Sequence, residues 1–143
     1  MKWYTYLDGI FMNVPELCEY YWLISDLEVN CCPDPKLNSD PVVIDGNTLC
    51  EIVQENKIQF IWAVLSGFKN EILSIPDELP FADGNRDLWV GSPRPQAQGA
   101  EVEIVCWDST CTLFIGIDES TSAKLQLMYP DIKDLDQENK QRG

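Results

Sequence analysis

Residues 103–118, EIVCWDSTCTLFIGID, constrain the fold more than any other stretch of the chain. Two apolar runs flank a polar connection at Asp108-Ser109, a pattern typical of a β-hairpin. A two-residue connection at this point places Cys106 directly opposite Cys111 on the paired strands. Because a local hairpin is antiparallel, the stretch predicts antiparallel pairing in this part of the sheet.

The rest of the chain alternates strand-like and helix-like segments. Aromatic or β-branched runs predict further strands, and apolar residues at helical spacing predict helices. The predicted strands are 2–7, 21–29, 42–44, 58–65 and 88–90, and the predicted helices are 14–20, capped by Asn13, 48–56 and 119–128. We therefore expect a single α+β domain over residues 1–143, with a mixed, mainly antiparallel sheet and two or three helices packed on it. Residues 91–99 are predicted to form a flexible loop without a core residue, and residues 131–143 a partly frayed C-terminal tail after one further turn at most.

In the predicted helix 119–128, the residues expected to dock on the sheet are Ala123, Leu127 and also Leu125 and Met128. Asp8-Gly9 predicts a turn after the first strand.

The charge balance favours a basic partner. Twenty-four acidic residues face ten basic ones, which gives a net charge of −14. A charge this far from zero repels nucleic acid and anionic membranes, so we expect neither as a partner. It attracts a basic protein by electrostatic steering. The alternative is that the acidity serves only solubility.

Several enzyme classes are excluded by composition. The chain has no histidine, which removes histidine general bases, histidine metal ligands and Ser-His-Asp catalysis. It also lacks a glycine-rich phosphate loop. We therefore expect no enzymatic activity, no cofactor and no metal. The first residues, MKWYTYLDGIF, lack the charged start and cleavage site of a signal peptide, so we expect a cytoplasmic protein.

The six cysteines are expected to be reduced and free of metal, because cytoplasmic thiols rarely form disulfides. Those that sit among apolar residues are predicted to pack in the core: Cys18, Cys50 and Cys106. A zinc site that joins Cys106 and Cys111 to the adjacent Cys31 and Cys32 is a weaker alternative, because the usual spacing of two residues between paired ligands is absent.

Two predicted strands carry acids two residues apart, at Asp26/Glu28 and at Glu101/Glu103. This spacing places each pair on one face of its strand, where carboxylates can hold Mg²⁺ for hydrolytic chemistry. Neither strand supplies a neighbouring lysine, so we interpret both pairs as solvated faces of the sheet.

In its small size and acidic composition, the chain resembles the immunity proteins with which bacteria neutralise toxins. The resemblance implies a one-to-one complex with a basic toxin such as a nuclease. We expect the contact residues to combine acids with an aromatic anchor. The predicted contact residues are Asp26, Glu28, Asp83, Asp87, Glu101, Glu103 and Trp107. The alternatives are a DNA-mimic inhibitor of a DNA-binding enzyme, a carboxylate-metal hydrolase, and a housekeeping domain whose acidity serves solubility.

Overall fold

The computed structural model describes residues 6–30, 37, 40–56 and 58–142. Its elements, in chain order, are α1 (Asp8–Asn13), a 3₁₀ helix (Pro15–Glu19), β1 (Tyr21–Val29), β2 (Val42–Asp45), α2 (Gly46–Glu55), β3 (Phe60–Phe68), a second 3₁₀ helix (Arg86–Trp89), β4 (Val102–Trp107), β5 (Cys111–Ile115), α3 (Glu119–Met128) and α4 (Leu135–Arg142). The strands form one sheet in the order β2-β1-β3-β4-β5. The predicted single α+β domain is confirmed, and every pair of neighbouring strands described is antiparallel.

Helices cover one face of the sheet, which we call the helical face. Its apolar cluster includes Trp22, Leu65 and Ile104, all fully buried. The indole nitrogen of Trp22 donates to the carbonyl of Leu17 over 2.9 Å, so even the polar atom of this large side chain is satisfied. The face is therefore a continuous apolar core of the kind that stabilises small domains.

Helix α3 packs on the helical face through fewer residues than predicted. Leu125 is fully buried and Thr121 is nearly so. The prediction was wrong for Leu127, which is 85% exposed, and for Ala123, which is also exposed. Thr121 and Leu125 are four residues apart and so share one side of the helix. Ala123 and Leu127 lie outside this narrow buried stripe.

The start of α2 packs tightly against the chain before β1. Asp45 is its N-cap, and its carboxylate accepts the backbone N–H of Thr48 over 2.9 Å and the Thr48 hydroxyl over 2.7 Å. Gly46 follows, and a Cβ at this position would collide with the carbonyl oxygens of Cys18 and Tyr20. Only glycine fits this approach of two backbone segments.

A disulfide joins Cys18 to Cys50 across a sequence separation of 32 residues. The prediction that all cysteines are reduced was wrong for this pair. Both residues do lie at the helical-face core as predicted, but the packing of the first 3₁₀ helix on α2 brings their Cα atoms within 6.1 Å, a separation that a disulfide spans. Cys31 and Cys32 lie outside the described residues, as does most of the strand predicted at 2–7.

The opposite face, which we call the loop face, is covered by residues 69–101 and by α4. Its buried apolar cluster consists of Val64, Ala82, Leu88, Val105, Leu113 and Ile115. The strand predicted at 88–90 is the 3₁₀ helix Arg86–Trp89 instead. The predicted loop 91–99 contains a buried residue after all, because Ala97 is 4% exposed. The flexibility of this loop stays a prediction.

The β4–β5 hairpin forms as predicted but in a different register. Trp107 pairs with Cys111, and Cys106 pairs with Thr112. The connection therefore has three residues rather than two, with Asp108 in the left-handed region at φ 49°. This shift by one residue turns Cys106 toward the helical face and Cys111 toward the loop face, so the two thiols are on opposite sides of the sheet.

At both ends of the described chain, the structure has more helix than the sequence predicted. Tyr6 bridges to Gln59, and α1 occupies the place of the turn predicted at Asp8-Gly9. At the other end, α4 spans eight residues. Asn139 of α4 is buried, which attaches this helix to the loop face. Whether the end of the tail frays stays a prediction.

Candidate functional site

Three tryptophans meet at one end of the loop face. Trp62 lies on β3, Trp107 ends β4, and Trp89 ends the second 3₁₀ helix. The Trp62 and Trp107 ring centres are 4.9 Å apart, and the Trp89 and Trp107 centres are 5.2 Å apart, both in edge-to-face arrangements. All three side chains are half-buried, so their rings support one another and still present apolar surface to solvent.

Each of these tryptophans has an exposed acid beside it. Glu28 pairs with Trp62 across β1 and β3, and directly paired residues project from the same face of a sheet. Asp87 belongs to the same 3₁₀ helix as Trp89. Asp108 directly follows Trp107 in the hairpin connection. We call these six residues the tryptophan surface.

Polar side chains hold the second 3₁₀ helix in place. The Asn85 carboxamide oxygen accepts the backbone N–H of Asp87 over 3.0 Å and so caps the helix. The Asn139 side chain donates to the carbonyl oxygens of Leu88 over 3.3 Å and of Gly91 over 3.1 Å. The position of Trp89 is therefore fixed from both the loop and α4.

Asp26 has a structural role at the loop face, and its predicted contact role stays a prediction. It adopts a left-handed conformation at φ 53° within a bulge of β1. One oxygen of its carboxylate accepts the backbone N–H groups of Ala82 and Asp83, each over 2.9 Å. The bulge separates Asp26 from Glu28, so alternation does not place them as a pair on one face. Asp83 itself is exposed and lies beside this anchor.

Glu103 is fully buried, and its prediction as a surface contact was wrong. One of its carboxylate oxygens accepts the Ser66 hydroxyl over 2.8 Å and the backbone N–H of Ala97 over 3.0 Å. Burial raises the pKa of this carboxyl, and the hydrogen bonds from Ala97 and Ser66 offset that rise only in part. The residue ties the 91–99 loop to the centre of the sheet.

Glu101 is exposed but lies apart from the tryptophan surface. It precedes β4, whereas Trp107 ends β4, and six residues of strand span about 20 Å. Its carboxylate forms an ion pair of 3.5 Å with Lys69. The structure therefore brings together three of the seven predicted contact residues, namely Glu28, Asp87 and Trp107. It buries Glu103 and places Glu101 at the far end of β4.

The arrangement of acids offers no support for a metal hydrolase. Asp26 and Glu103 are each engaged with backbone N–H groups of the covering loop. Among the residues that the structure describes, no three His, Cys, Asp or Glu side chains are grouped so that they could hold one metal ion. The two acidic pairs thus do not converge into the site that such an enzyme requires.

Sequence reasoning missed Trp62, Trp89 and Asp108. Trp62 lies in the run 58–65 and Trp89 in the segment 88–90, which were both predicted only as strands. Neither prediction identified these two tryptophans as part of a site. The available signal was that acids stand close to Trp89 and Trp107 in sequence; the acid beside Trp62 is brought there only by the sheet.

None of the helices in the described ranges is both long and apolar enough to cross a membrane. Comparison of the chain with protein-family models, with curated proteins and with solved structures finds no match in any of the three.

Proposed function

We propose that this protein is a non-catalytic binding protein that captures a basic protein partner, and that it acts as an immunity protein against a basic toxin such as a nuclease. The proposal depends above all on the tryptophan surface. It combines three half-buried indole rings with three exposed acids, Glu28, Asp87 and Asp108. Tryptophan is among the residues that most often dominate the binding energy of protein interfaces.

The charge of the whole molecule supports the same proposal. A net charge of −14 on 143 residues creates a long-range field that accelerates encounter with a basic partner. The three acids beside the tryptophans bring the partner's cations to the place where the apolar rings can be buried. Steering and anchoring would thus act on the same surface.

The redox state of Cys18 and Cys50 indicates which compartment holds the protein. The cytoplasmic location expected from the sequence requires these two thiols to be reduced in the cell, because cytoplasmic disulfides are rare. The disulfide between them fits an oxidising compartment instead. Their redox state in protein taken from its native cell distinguishes the two locations.

The test is capture of a partner from the native cell, followed by binding kinetics on any basic protein recovered. We expect the association rate to fall about tenfold or more between low and high salt, since salt screens charges beyond ~8 Å at physiological ionic strength. Trp107→Ala is expected to weaken binding about 30-fold through faster dissociation, as for an interface hot spot. Trp107→Phe, which keeps an aromatic ring, should have a smaller effect.

A double variant, Glu28→Gln with Asp87→Asn, is expected to slow association several-fold and to change dissociation less. Its matched control is Glu51→Gln with Glu55→Gln, which removes the same charge from exposed positions on α2. Recovery of no basic protein, or an association rate that is flat with salt, would leave solubility as the role of the acidity.

A further inference from the structure

The outer edge of β5 suggests a second binding element. β5 is the last strand in the sheet order and pairs with β4 alone among the named strands. The backbone of an edge strand can pair with an extended segment of another chain. We propose that β5 accepts an extended basic segment of the partner protein by strand addition, using the backbone of residues 113–115. The basic character of this occupant rests on the proposed function.

A groove lies along this edge. Residues 111–117 form its floor, α3 forms one wall through Ser122 and Gln126, and residues 131–138 form the other wall. Its volume is about 550 Å³, which is within the range of pockets that enclose ligands. β5 has five residues, so an added strand of the same length would extend about 17 Å.

The path of the C-terminal segment explains why a groove is present. α3 packs on the helical face through Leu125, whereas α4 packs on the loop face through Leu135 and the hydrogen bonds of Asn139. The chain between the two helices therefore passes from one face of the sheet to the other alongside β5. The two helices therefore stand on either side of the edge, and the groove lies between them.

The charges of the groove favour a basic occupant. The wall formed by residues 131–138, which we call the outer wall, carries four acids and one base: Asp131, Asp134, Asp136, Glu138 and Lys133. Lys133 lies 3.9 Å from Glu138 in an ion pair. The apolar part of the lining includes Leu113, Ile115, Ile117 and Leu135. Because the side chains of an added strand alternate between two directions, every second residue would face the acids and Leu135, and the others would face Ser122 and Gln126 of α3. We therefore expect basic residues at alternate positions of the segment.

The groove is continuous with the tryptophan surface. Trp89 lines one end of the groove, and its ring also packs edge-to-face against Trp107. One partner can therefore place a folded surface on the tryptophans and an adjoining extended segment against β5. The two elements are separable by experiment, because the groove can be tested with a peptide alone.

The probe is an acetylated and amidated eight-residue peptide of alternating lysine and valine, added to ¹⁵N-labelled full-length protein. We expect saturable shifts of the amide signals of residues 111–117. Within 113–115, hydrogen exchange should slow at those N–H groups that point away from β4, since an added strand gives them new hydrogen bonds. The corresponding glutamate-valine peptide should give no such shifts. The lysine-valine peptide with N-methylated alternate amides, which cannot complete the ladder, should bind at least about tenfold more weakly.

Two variants on opposite walls test the location. Gln126→Trp places a large ring in the groove and should abolish peptide binding. Asp136→Lys reverses one charge of the outer wall and should weaken binding several-fold, whereas Glu51→Lys, the same change of charge on α2, should leave it nearly unchanged. An amide spectrum like that of the natural chain establishes that a variant is folded. If Gln126→Trp does not fold, Asp136→Lys alone tests the location of the peptide.

The inference is overturned if the basic peptide shifts no β5 signals, if the acidic peptide binds equally well, or if neither wall variant weakens binding. If the peptide does not bind but a basic protein is captured in a way that depends on salt and on Trp107, the strand-addition proposal is wrong and the proposed function stands. Peptide binding at β5 with no basic protein recovered from the cell removes the proposed function and leaves a strand-accepting edge.

Discussion

The two faces of the sheet are held in different ways. On the helical face, helices bury a continuous apolar cluster, and a disulfide joins the first 3₁₀ helix to α2. On the loop face, an irregular segment covers a smaller apolar cluster and is attached by individual hydrogen bonds. Its buried polar anchors include Ser25, which donates to the Pro80 carbonyl over 2.7 Å, the Ser66–Glu103 pair, Asn85 and Asn139.

We therefore expect the helical face to contribute most to stability, whereas the proposed binding elements belong to the loop face and its edge. Apolar burial on the helical face is non-directional and tolerates conservative change. The hydrogen bonds of the loop face are directional, and they attach a segment without regular structure to the sheet at defined points. Both proposed binding elements lie at this second face or at its edge, where loops and a 3₁₀ helix present side chains on a rigid sheet. We therefore expect variants of the helical face to lower the stability of the whole domain, and variants of the loop face to act locally or on binding.

The largest expected effect is on the helical face. Trp22→Ala removes a fully buried ring, and we expect it to lower the free energy of unfolding by about 3–5 kcal/mol. The half-buried Trp62→Ala on the loop face should cost clearly less. Urea unfolding of both variants measures the comparison. Equal losses would mean that the loop face carries as much of the stability as the helical face.

Reduction of the disulfide should have the next largest effect. Cys18 and Cys50 enclose a loop of 32 residues, and breaking such a link costs about 2–4 kcal/mol of stability. Mass mapping of non-reduced protein is expected to find the two cysteines linked to each other. Cys111→Ser changes a half-buried free thiol and serves as the control. Alkylation of both Cys18 and Cys50 without prior reduction would contradict the prediction.

Glu103→Ala tests the attachment of the loop face. It leaves the buried N–H of Ala97 and the Ser66 hydroxyl without their acceptor, and we expect a loss of about 1–3 kcal/mol. Glu103→Gln keeps an acceptor oxygen and should retain most of the stability. Amide exchange should show the loss at 96–98 first, since these residues depend on the anchor. A uniform loss across both faces would argue against a local role.

The pH dependence of Glu103 has a definite sign. Its pKa in the folded protein is raised above the usual value of 4.5, so the folded state holds the proton more tightly than the unfolded state. Its contribution to stability is therefore complete below pH 4.5 and is lost as the pH rises through the folded pKa. The stability of Glu103→Gln relative to the natural chain should rise over that window. Glu101→Gln, which removes the same charge from an exposed side chain, is the control.

Strong local patterns predicted much of the fold. The alternating residues of Tyr21–Val29 and the run Glu119–Met128 gave β1 and α3 with the bounds that the structure has. The left-handed bulge at Asp26 and the three-residue connection after Trp107 were not predicted. Each depends on hydrogen bonds to a segment distant in sequence, such as that from the Ser109 N–H to the Ile61 carbonyl, and local periodicity contains no information about these.

The candidate site was predicted less well for the same reason. Glu28, Asp87 and Trp107 were chosen for their residue type, and they share a surface because β1, β3 and β4 are neighbours and Trp89 packs on Trp107. Glu103 has the same residue type as Glu101 and the opposite environment. Alternation predicted both on one face of a strand, but Glu101 precedes β4, and the covering loop buries Glu103.

Gly46 has a consequence for any screen that reads binding as its output. Every substitution at this position forces a side chain into the carbonyl oxygens of Cys18 and Tyr20, so nearly all variants should reach low abundance in the cell. A saturation library scored for partner capture would rank Gly46 among its most sensitive positions, although it lies on the helical face. Normalising each variant by its soluble yield would return Gly46 to neutral, whereas Trp107 would stay sensitive if it contacts the partner as proposed.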